Sequence, residues 1–175
     1  MVKVLDKQFE IYISAEQISA TIQKMADKIN EDYKNDKPIF LAILNGSFIF
    51  AADILKKINI ECEIEFLKVA SYQNLESTGK VIELIGLNRE IKNRKIIILE
   101  DIIDTGLTMS KILEQLLLLQ PASVKVVTLL QKPDALQKEI DIYQCGFKIE
   151  NRFVVGYGLD YNNFGRNLSA ICIHV

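Results

Sequence analysis

The sequence has few cysteines and one histidine, and both shortages exclude common kinds of site. Its 175 residues include three cysteines, Cys62, Cys145 and Cys172, each within or beside an apolar run. An odd number at wide spacing fits neither a disulfide framework nor a zinc site, so we expect reduced, mostly buried thiols in a cytosolic protein. The single histidine, His174, lies in an apolar terminal segment, where a structural role is expected.

The sequence also lacks a surplus of positive charge and a long apolar segment. Lys and Arg total 21 against 23 Asp and Glu, which gives a formal net charge of −2. This balance favours a small-molecule partner over nucleic acid. No apolar stretch reaches membrane-spanning length, and charged residues within positions 1–10 interrupt any signal-peptide core. We therefore expect one compact cytoplasmic domain over residues 1–175, with no membrane anchor and no nucleic-acid partner.

Short apolar runs alternate with amphipathic stretches along the chain. Helical spacing begins at Ser14, which forms a capping box with Gln17, and further helices are predicted over 48–57 and from about 108 until Pro121. Strands are predicted over 39–44, 64–69, 81–85, 96–99, 124–130, 153–155 and 170–175. Strands that alternate with helices predict an α/β fold with a mainly parallel central sheet flanked by helices.

Acidic and hydroxyl side chains are concentrated in a predicted turn, residues 100–108, directly after one of these strands. In open α/β sheets, ligands gather beyond the carboxyl ends of the strands. A glycine-containing turn that opens a helix suits a phosphate, while the acids preceding it suit a sugar diol or a divalent cation. A bare Asp-Thr-Gly is more simply explained as a helix cap and turn, so the argument depends on the whole segment.

The string from Ile97 to Thr108 resembles the phosphoribosyl pyrophosphate (PRPP) binding motif of type I phosphoribosyltransferases. It reads as an apolar strand, two acids, two apolar residues and then Asp-Thr-Gly-x-Thr. The resemblance implies that fold, with a small hood region and a flexible active-site loop. It also implies that Glu100 and Asp101 hold the ribose hydroxyls and that Asp104 lies near N7 of the base. The 5-phosphate would be cradled by Asp104, Thr105, Gly106, Leu107 and Thr108.

A second segment, Leu44-Asn45-Gly46-Ser47, resembles the pyrophosphate loop of the hypoxanthine-guanine phosphoribosyltransferases. In that family, backbone amides contact the diphosphate through a strained peptide bond. The family frequently has a basic residue where this chain has Asn45, so the resemblance implies a backbone contribution without a basic side chain. Outside this context, Asn-Gly is a common turn dipeptide.

Two later segments are similar to the same family's purine site. Lys132 matches the lysine that recognises the oxygen on C6, and the string from Phe153 to Tyr161 matches the late motif. The resemblance implies that Phe153 stacks on the base, that the backbone of Val154 meets the base edge, and that Asp160 belongs to the purine site. Together with Glu100 and Asp101, Asp160 would also hold Mg²⁺. Arg166 matches an arginine that contacts pyrophosphate.

A polar segment, 71–80, separates two predicted strands and begins with Ser71-Tyr72. It resembles the start of the family's flexible loop, which closes over the active site. Closure would shield an oxocarbenium-like transition state from water. An ordinary exposed loop is the alternative.

The family resemblance, which runs from residue 39 to the end of the chain, implies a Mg²⁺-dependent purine-salvage transferase. It would convert hypoxanthine or guanine and PRPP into IMP or GMP and pyrophosphate, with Asp104 as catalytic residue, in a dimer or tetramer. Whether Asp104 removes a proton or stabilises charge stays open, as do the preference between the two bases and acceptance of xanthine. The alternatives are an enzyme of other base specificity, such as xanthine-guanine or a pyrimidine, and a PRPP-sensing regulator that binds nucleic acid.

Overall fold

The structure is a computed structural model that describes residues 1–71, 82–87 and 89–175. The described part contains three α-helices: α1 (Ala15–Asp32), α2 (Phe48–Leu55) and α3 (Leu107–Leu118). Its strands are β1 (Val2–Val4), β2 (Lys7–Ile13), β3 (Ile39–Leu44), β4 (Glu63–Ser71), β5 (Ile82–Ile85), β6 (Lys95–Ile103), β7 (Ser123–Gln131), β8 (Ile142–Lys148), β9 (Val154–Val155) and β10 (Ile171–His174).

A six-stranded sheet in the order β5-β4-β3-β6-β7-β8 forms the centre of the fold. Strands β4, β3, β6, β7 and β8 run parallel, and β5 pairs with β4 in the antiparallel sense. The sequence of β3, IFLAIL, is apolar throughout and almost wholly buried, as expected for a parallel strand covered on both faces. Two buried clusters lie against the sheet, one including residues of α1 and α2, the other residues of α3. The predicted α/β fold is confirmed.

The two chain ends form a second, antiparallel sheet in the order β1-β2-β10-β9, which we call the hood. It has a small core of its own around Phe9, Val155 and Cys172. Strands β1, β2 and β8 were not predicted from the sequence. In β2 only Phe9 and Ile13 are buried, and Ile11, the apolar residue between them, is 63% exposed. The alternating apolar residues of β2 therefore form a face that is only partly buried.

Helix α1 begins as predicted. The Ser14 hydroxyl accepts a hydrogen bond from the Gln17 N–H at 3.3 Å, and the Gln17 side chain accepts one from the Ser14 N–H at 2.9 Å. This reciprocal capping box satisfies two N–H groups that a helix start leaves unpaired. The helix then buries one face, formed by Ile18, Ile22, Met25, Ala26 and Ile29.

Several predictions need correction. Residues Glu100 and Asp101 were predicted in a turn, but β6 continues to Ile103 because it stays paired with β7 as far as Gln131. The expectation of mostly buried thiols is wrong for Cys62, which is exposed, whereas Cys145 is half-buried and Cys172 buried, all three free. Of the predicted flexible loop, Ser71 ends β4 and Tyr72 lies outside the described residues.

Within the described ranges, none of the helices combines the length and the apolar character needed to span a membrane.

Candidate active site

The predicted functional segments converge at one edge of the central sheet. Strands β3, β6 and β7 are neighbours and parallel, so the residues that follow them meet at their carboxyl ends. These residues are Asn45 to Ser47 after β3, Asp104 to Gly106 after β6 and Lys132 after β7. The late motif, residues 153–161, which includes β9, contacts the same edge through Gly158.

The turn after β6 forms a small cavity at the start of α3. Gly106 is the N-cap residue and has a φ of +78°. A Cβ there would lie 2.3 Å from the carbonyl oxygen of Lys138, so both the backbone conformation and the space require glycine. The pocket, about 140 Å³, is lined by Glu100, Ile102, Ile103, Asp104, Thr105, Gly106, Thr108 and Met109. Amide groups and the positive dipole end of α3 make this pocket suitable for a phosphate group.

Lys132 and Asp104 form an ion pair across the ends of β7 and β6. The Nζ of Lys132 lies 3.0 Å from Oδ2 of Asp104, and the Lys132 N–H donates to the carbonyl of Ile103 at 3.0 Å. The lysine side chain is 9% exposed and the aspartate side chain 49% exposed. The ammonium is therefore nearly buried, while the carboxylate is accessible to a ligand.

Glu100 and Asp101 place two carboxyl groups next to each other near the end of β6. The Glu100 Oε2 atom is buried and has no hydrogen-bond partner, and Asp101 Oδ1 accepts from the Ile102 N–H at 2.9 Å. Burial, then the charge of Asp101 and a hydrogen bond to it, raises the pKa of Glu100 well above its usual value. Burial raises the pKa of Asp101 to about 6, against the opposing effects of backbone hydrogen bonds, Glu100 and Arg166. A ligand that supplies a hydrogen-bond donor or a cation would stabilise two such neighbouring carboxyl groups.

The loop after β3 touches both the acids and the late motif. A Cβ at Gly46 would lie 1.5 Å from Oδ2 of Asp101, so the aspartate packs directly on the glycine backbone. A Cβ at Gly158, whose φ is +102°, would lie 1.9 Å from the carbonyl oxygen of Gly46. The peptide bond between Leu44 and Asn45 is cis. Gly158 was not among the predicted site residues, although a Gly-x-Gly run is a signal of close backbone approach.

Arg166 and Asp160 form an ion pair within residues 156–170, the segment between β9 and β10, which we call the late loop. The guanidinium of Arg166 lies 2.6 Å from Oδ1 of Asp160 and donates to the carbonyl of Gly158 at 2.7 Å. Asp160 Oδ2 accepts from the Asn163 N–H at 2.7 Å. These contacts place an arginine beside the loop that contains Gly46.

Phe153 and Val154 lie on the hood. Phe153 is 43% exposed, and its aromatic neighbours are Phe9 at 6.1 Å and Tyr161 at 5.7 Å. The ammonium of Lys7 lies 5.9 Å from the same ring, a contact that was not predicted from the sequence. Val154 is buried and pairs with Ile173 through the backbone. These ring contacts are with the hood, through Phe9 and Lys7, and with Tyr161 of the late motif.

The donor groups fit a magnesium ion held jointly with a substrate. Among residues 1–71, 82–87 and 89–175, no group of three or more His, Cys, Asp or Glu is arranged to hold a metal by itself. Mg²⁺ is usually bound through one or two carboxylates together with substrate phosphates and water. The adjacent carboxylates of Glu100 and Asp101, with an unpartnered buried oxygen, match that requirement.

Comparison with known proteins agrees with this geometry. Residues 10–162 match the phosphoribosyl transferase domain family. The chain is 40% identical over 165 residues to a hypoxanthine phosphoribosyltransferase of Buchnera aphidicola, covering 93% of both chains. It is 41% identical over 171 residues to a hypoxanthine-guanine phosphoribosyltransferase of Lactococcus lactis, covering 97% of this chain and 93% of that one.

A solved structure has the same fold. The hypoxanthine phosphoribosyltransferase of Trypanosoma cruzi in complex with the product IMP matches with a TM-score of 0.88 and 30% identity, over 97% of its own length and 99% of this chain.

Proposed function

The chain belongs to the phosphoribosyltransferase family, among the hypoxanthine and hypoxanthine-guanine enzymes, and we propose that it joins a 6-oxopurine to the ribose of PRPP with release of pyrophosphate. Hypoxanthine would give IMP and guanine GMP. The observation that carries this proposal is the ion pair between Lys132 and Asp104, which presents one donor and one acceptor 3.0 Å apart at the sheet edge.

The pair is complementary to one edge of the base. In hypoxanthine and guanine, N7 and the oxygen on C6 are neighbours on the same edge. A lysine ammonium can only donate hydrogen bonds, so Lys132 suits the oxygen, and the half-exposed Asp104 carboxylate suits a protonated N7. Phe153 and Val154 would cover the base from the hood, with the Phe153 ring stacked on it.

The pocket after β6 would hold the ribose phosphate. Asp104, Thr105, Gly106, Leu107 and Thr108 surround or follow the cavity at the start of α3, where amide groups would bind the 5-phosphate. The carboxyl groups of Glu100 and Asp101 lie just upstream on β6 and would accept hydrogen bonds from the ribose hydroxyls. That contact would satisfy the buried Glu100 oxygen that has no partner.

The pyrophosphate would lie between the loop after β3 and the late loop. Gly46, which follows Leu44 and Asn45 in the loop after β3, packs against Gly158, and the guanidinium of Arg166 donates to the Gly158 carbonyl. Asn45 adds no charge, so Arg166 is the positive side chain proposed for the leaving group. When N9 of the base attacks C1 of the ribose, negative charge develops on pyrophosphate, and Arg166 would stabilise it.

Glu100 and Asp101 would hold Mg²⁺ together with PRPP, and Asp160 would contribute from the late loop. The ion would supply positive charge against the diphosphate. Asp104 would receive the purine proton or stabilise the positive charge of the base in the transition state.

We propose further that the chain assembles into a dimer or tetramer in the cytoplasm. Exposed apolar side chains, Ile64 and Phe66 on β4 and Leu117 to Leu119 at the end of α3, offer surface for self-association. Three free thiols agree with a reducing compartment. Light scattering of the purified chain measures the assembly.

The test is a base panel. The protein is incubated with PRPP, Mg²⁺ and hypoxanthine, guanine, xanthine, adenine or uracil, and nucleotide and pyrophosphate are quantified. We expect IMP and GMP, each with one equivalent of pyrophosphate. Nucleotide formed only from adenine or uracil, or from no base, overturns the proposal.

A further inference from the structure

A buried tyrosine in the late motif is hydrogen-bonded to α2, the helix that follows the Asn45–Ser47 loop. The Tyr157 hydroxyl donates to Oδ2 of Asp53 in α2 at 2.5 Å, and Tyr157 is only 6% exposed. Asp53 also forms an ion pair with Lys56 at 2.6 Å. Neither Tyr157 nor Asp53 belongs to the predicted site, and neither lines the cavity at the start of α3.

The backbone around Tyr157 has a conformation that needs external support. Gly156, Tyr157 and Gly158 have φ values of +100°, +50° and +102°, so three consecutive residues lie in the left-handed region. Two are glycines, for which this conformation is easy, but a bulky residue adopts it only where the surroundings hold it. The Tyr157 N–H donates to the carbonyl of Leu168, and its hydroxyl supplies the link to α2.

Gly158, which follows Tyr157, joins the late loop to the Asn45–Ser47 loop. Gly158 packs on the carbonyl of Gly46, accepts a hydrogen bond from the Arg166 guanidinium, and donates its N–H to the Arg166 carbonyl at 2.9 Å. A displacement of Tyr157 would therefore move Arg166 relative to Gly46.

Asp53 is connected through α2 to the Asn45–Ser47 loop, which directly precedes this helix. This helix begins at Phe48, directly after Ser47, whose buried hydroxyl donates to the Ile43 carbonyl at 2.6 Å. The Ala51 N–H donates to the Ser47 carbonyl at 2.8 Å. The contacts form a closed ring from Gly46 through α2 to Asp53, across to Tyr157 and back through Gly158.

We infer that Tyr157 and Asp53 are positioning residues that fix the distance between Arg166 and the Asn45–Ser47 loop, and so set the affinity for the diphosphate of PRPP. The inference rests on the proposed function, because that function places the diphosphate between Arg166 and the Asn45–Ser47 loop. The ring of contacts does not include Asp104 or Lys132, so base recognition is not what the ring controls.

The chain contains a matched control for a purely structural role. The Tyr143 hydroxyl donates to Oδ2 of Asp32 at 2.5 Å, and Asp32 forms an ion pair with Lys28. This is the same tyrosine–aspartate–lysine arrangement, and it lies between β8 and the end of α1. Tyr143→Phe therefore removes an equivalent hydrogen bond without touching either loop.

The experiment compares Tyr157→Phe, Tyr143→Phe and the unmodified protein by calorimetric titration with PRPP and Mg²⁺, by steady-state kinetics with hypoxanthine, and by thermal unfolding. A hydrogen bond to a charged group contributes enough to change an equilibrium about tenfold. We expect Tyr157→Phe to weaken PRPP binding about tenfold, with kcat changed less than about threefold, and Tyr143→Phe to leave PRPP binding within about twofold. Asp53→Asn, which keeps a carbonyl acceptor for Tyr157, should bind PRPP more tightly than Asp53→Ala.

The outcomes separate the two proposals. If the unmodified protein forms IMP but Tyr157→Phe binds PRPP within about twofold of it, or if Tyr143→Phe loses as much affinity, the positioning role is wrong and the proposed function stands. If the unmodified protein neither binds PRPP nor forms nucleotide, the proposed function fails first. Equal affinities for Asp53→Asn and Asp53→Ala also contradict the positioning role.

Discussion

Lys132 reaches Asp104 from the neighbouring strand with its ammonium 3.0 Å from the carboxylate, and the two side chains differ sharply in exposure, 9% against 49%. A nearly buried ammonium is costly unless it is paired, so Lys132 depends on Asp104 until a ligand supplies another acceptor. In the proposed function, that ligand would enter from the exposed side of Asp104. A base that offers an acceptor beside a proton donor can satisfy both groups at once.

Replacing Asp104 with asparagine should reduce turnover much more than PRPP affinity. The amide oxygen can still accept from Lys132, so the pocket is retained, but the charge and basicity are lost. General acid–base assistance is worth roughly a hundredfold to ten-thousandfold in rate, and kcat should fall within that range. Single-turnover rates and PRPP titrations measure the two effects. Asp141→Asn, in a surface ion pair with Lys125, is the control. Near-normal turnover of Asp104→Asn would show that Asp104 serves chiefly as the partner of Lys132.

Replacing Asp101 with asparagine should stabilise the ligand-free protein while impairing catalysis. Burial raises the pKa of Asp101 to about 6 from 3.8, so the folded state disfavours the carboxylate by up to about 3 kcal/mol at neutral pH. The destabilisation is absent below about pH 4, grows as pH rises to about 6, and is constant above that. About 1 kcal/mol changes Tm by about 2–4 °C in a chain of this size.

The stability gained by Asp101→Asn is measured by thermal unfolding of the variant and the unmodified protein between about pH 4 and pH 8. We expect a Tm gain of several degrees above about pH 6 that shrinks toward about pH 4. A lower Tm for Asp101→Asn at neutral pH would show that the carboxylate is structurally required.

Turnover should need a divalent cation. Glu100 and Asp101 would otherwise face an anionic diphosphate without a cation, and Asp160 already neutralises part of the charge of Arg166 through their ion pair. Excess chelator should abolish nucleotide formation, and added Mg²⁺ should restore it. Undiminished turnover in chelator rules out this role for the three carboxyl groups.

The sequence predicted the elements that depend on local pattern. Strand β3 was placed correctly because six consecutive apolar residues fit a strand covered on both faces, and α1 because Ser14 and Gln17 cap it. Strand β8 was missed because its residues, IYQCGFK, are half-buried or exposed and give no clear period. The end of β6 was misplaced because the acids Glu100 and Asp101 are typical of a turn, and only pairing with β7 keeps them in the sheet.

The site was predictable as a set of residue types but not as a set of contacts. Asp104, Lys132 and Arg166 were assigned to the candidate site through motifs, yet the ion pair between Asp104 and Lys132 depends on the adjacency of β6 and β7. The contact between Gly46 and Gly158 and the hydrogen bond between Tyr157 and Asp53 join residues far apart along the chain. Such contacts follow from the packing of the late loop on the sheet and α2, which no local pattern specifies.

The most direct test of the central claim is the catalytic efficiency with hypoxanthine, guanine and adenine at saturating PRPP, for the unmodified protein and Lys132→Ala. In the proposed binding mode adenine would place an amino group opposite the Lys132 ammonium, and a polar mismatch of this kind can discriminate by about ten-thousandfold or more. We predict that adenine is an extremely poor substrate of the unmodified protein, and that Lys132→Ala weakens use of both oxopurines while shrinking their advantage over adenine. Comparable use of adenine by the unmodified protein, or three efficiencies unchanged in Lys132→Ala, would contradict the assignment.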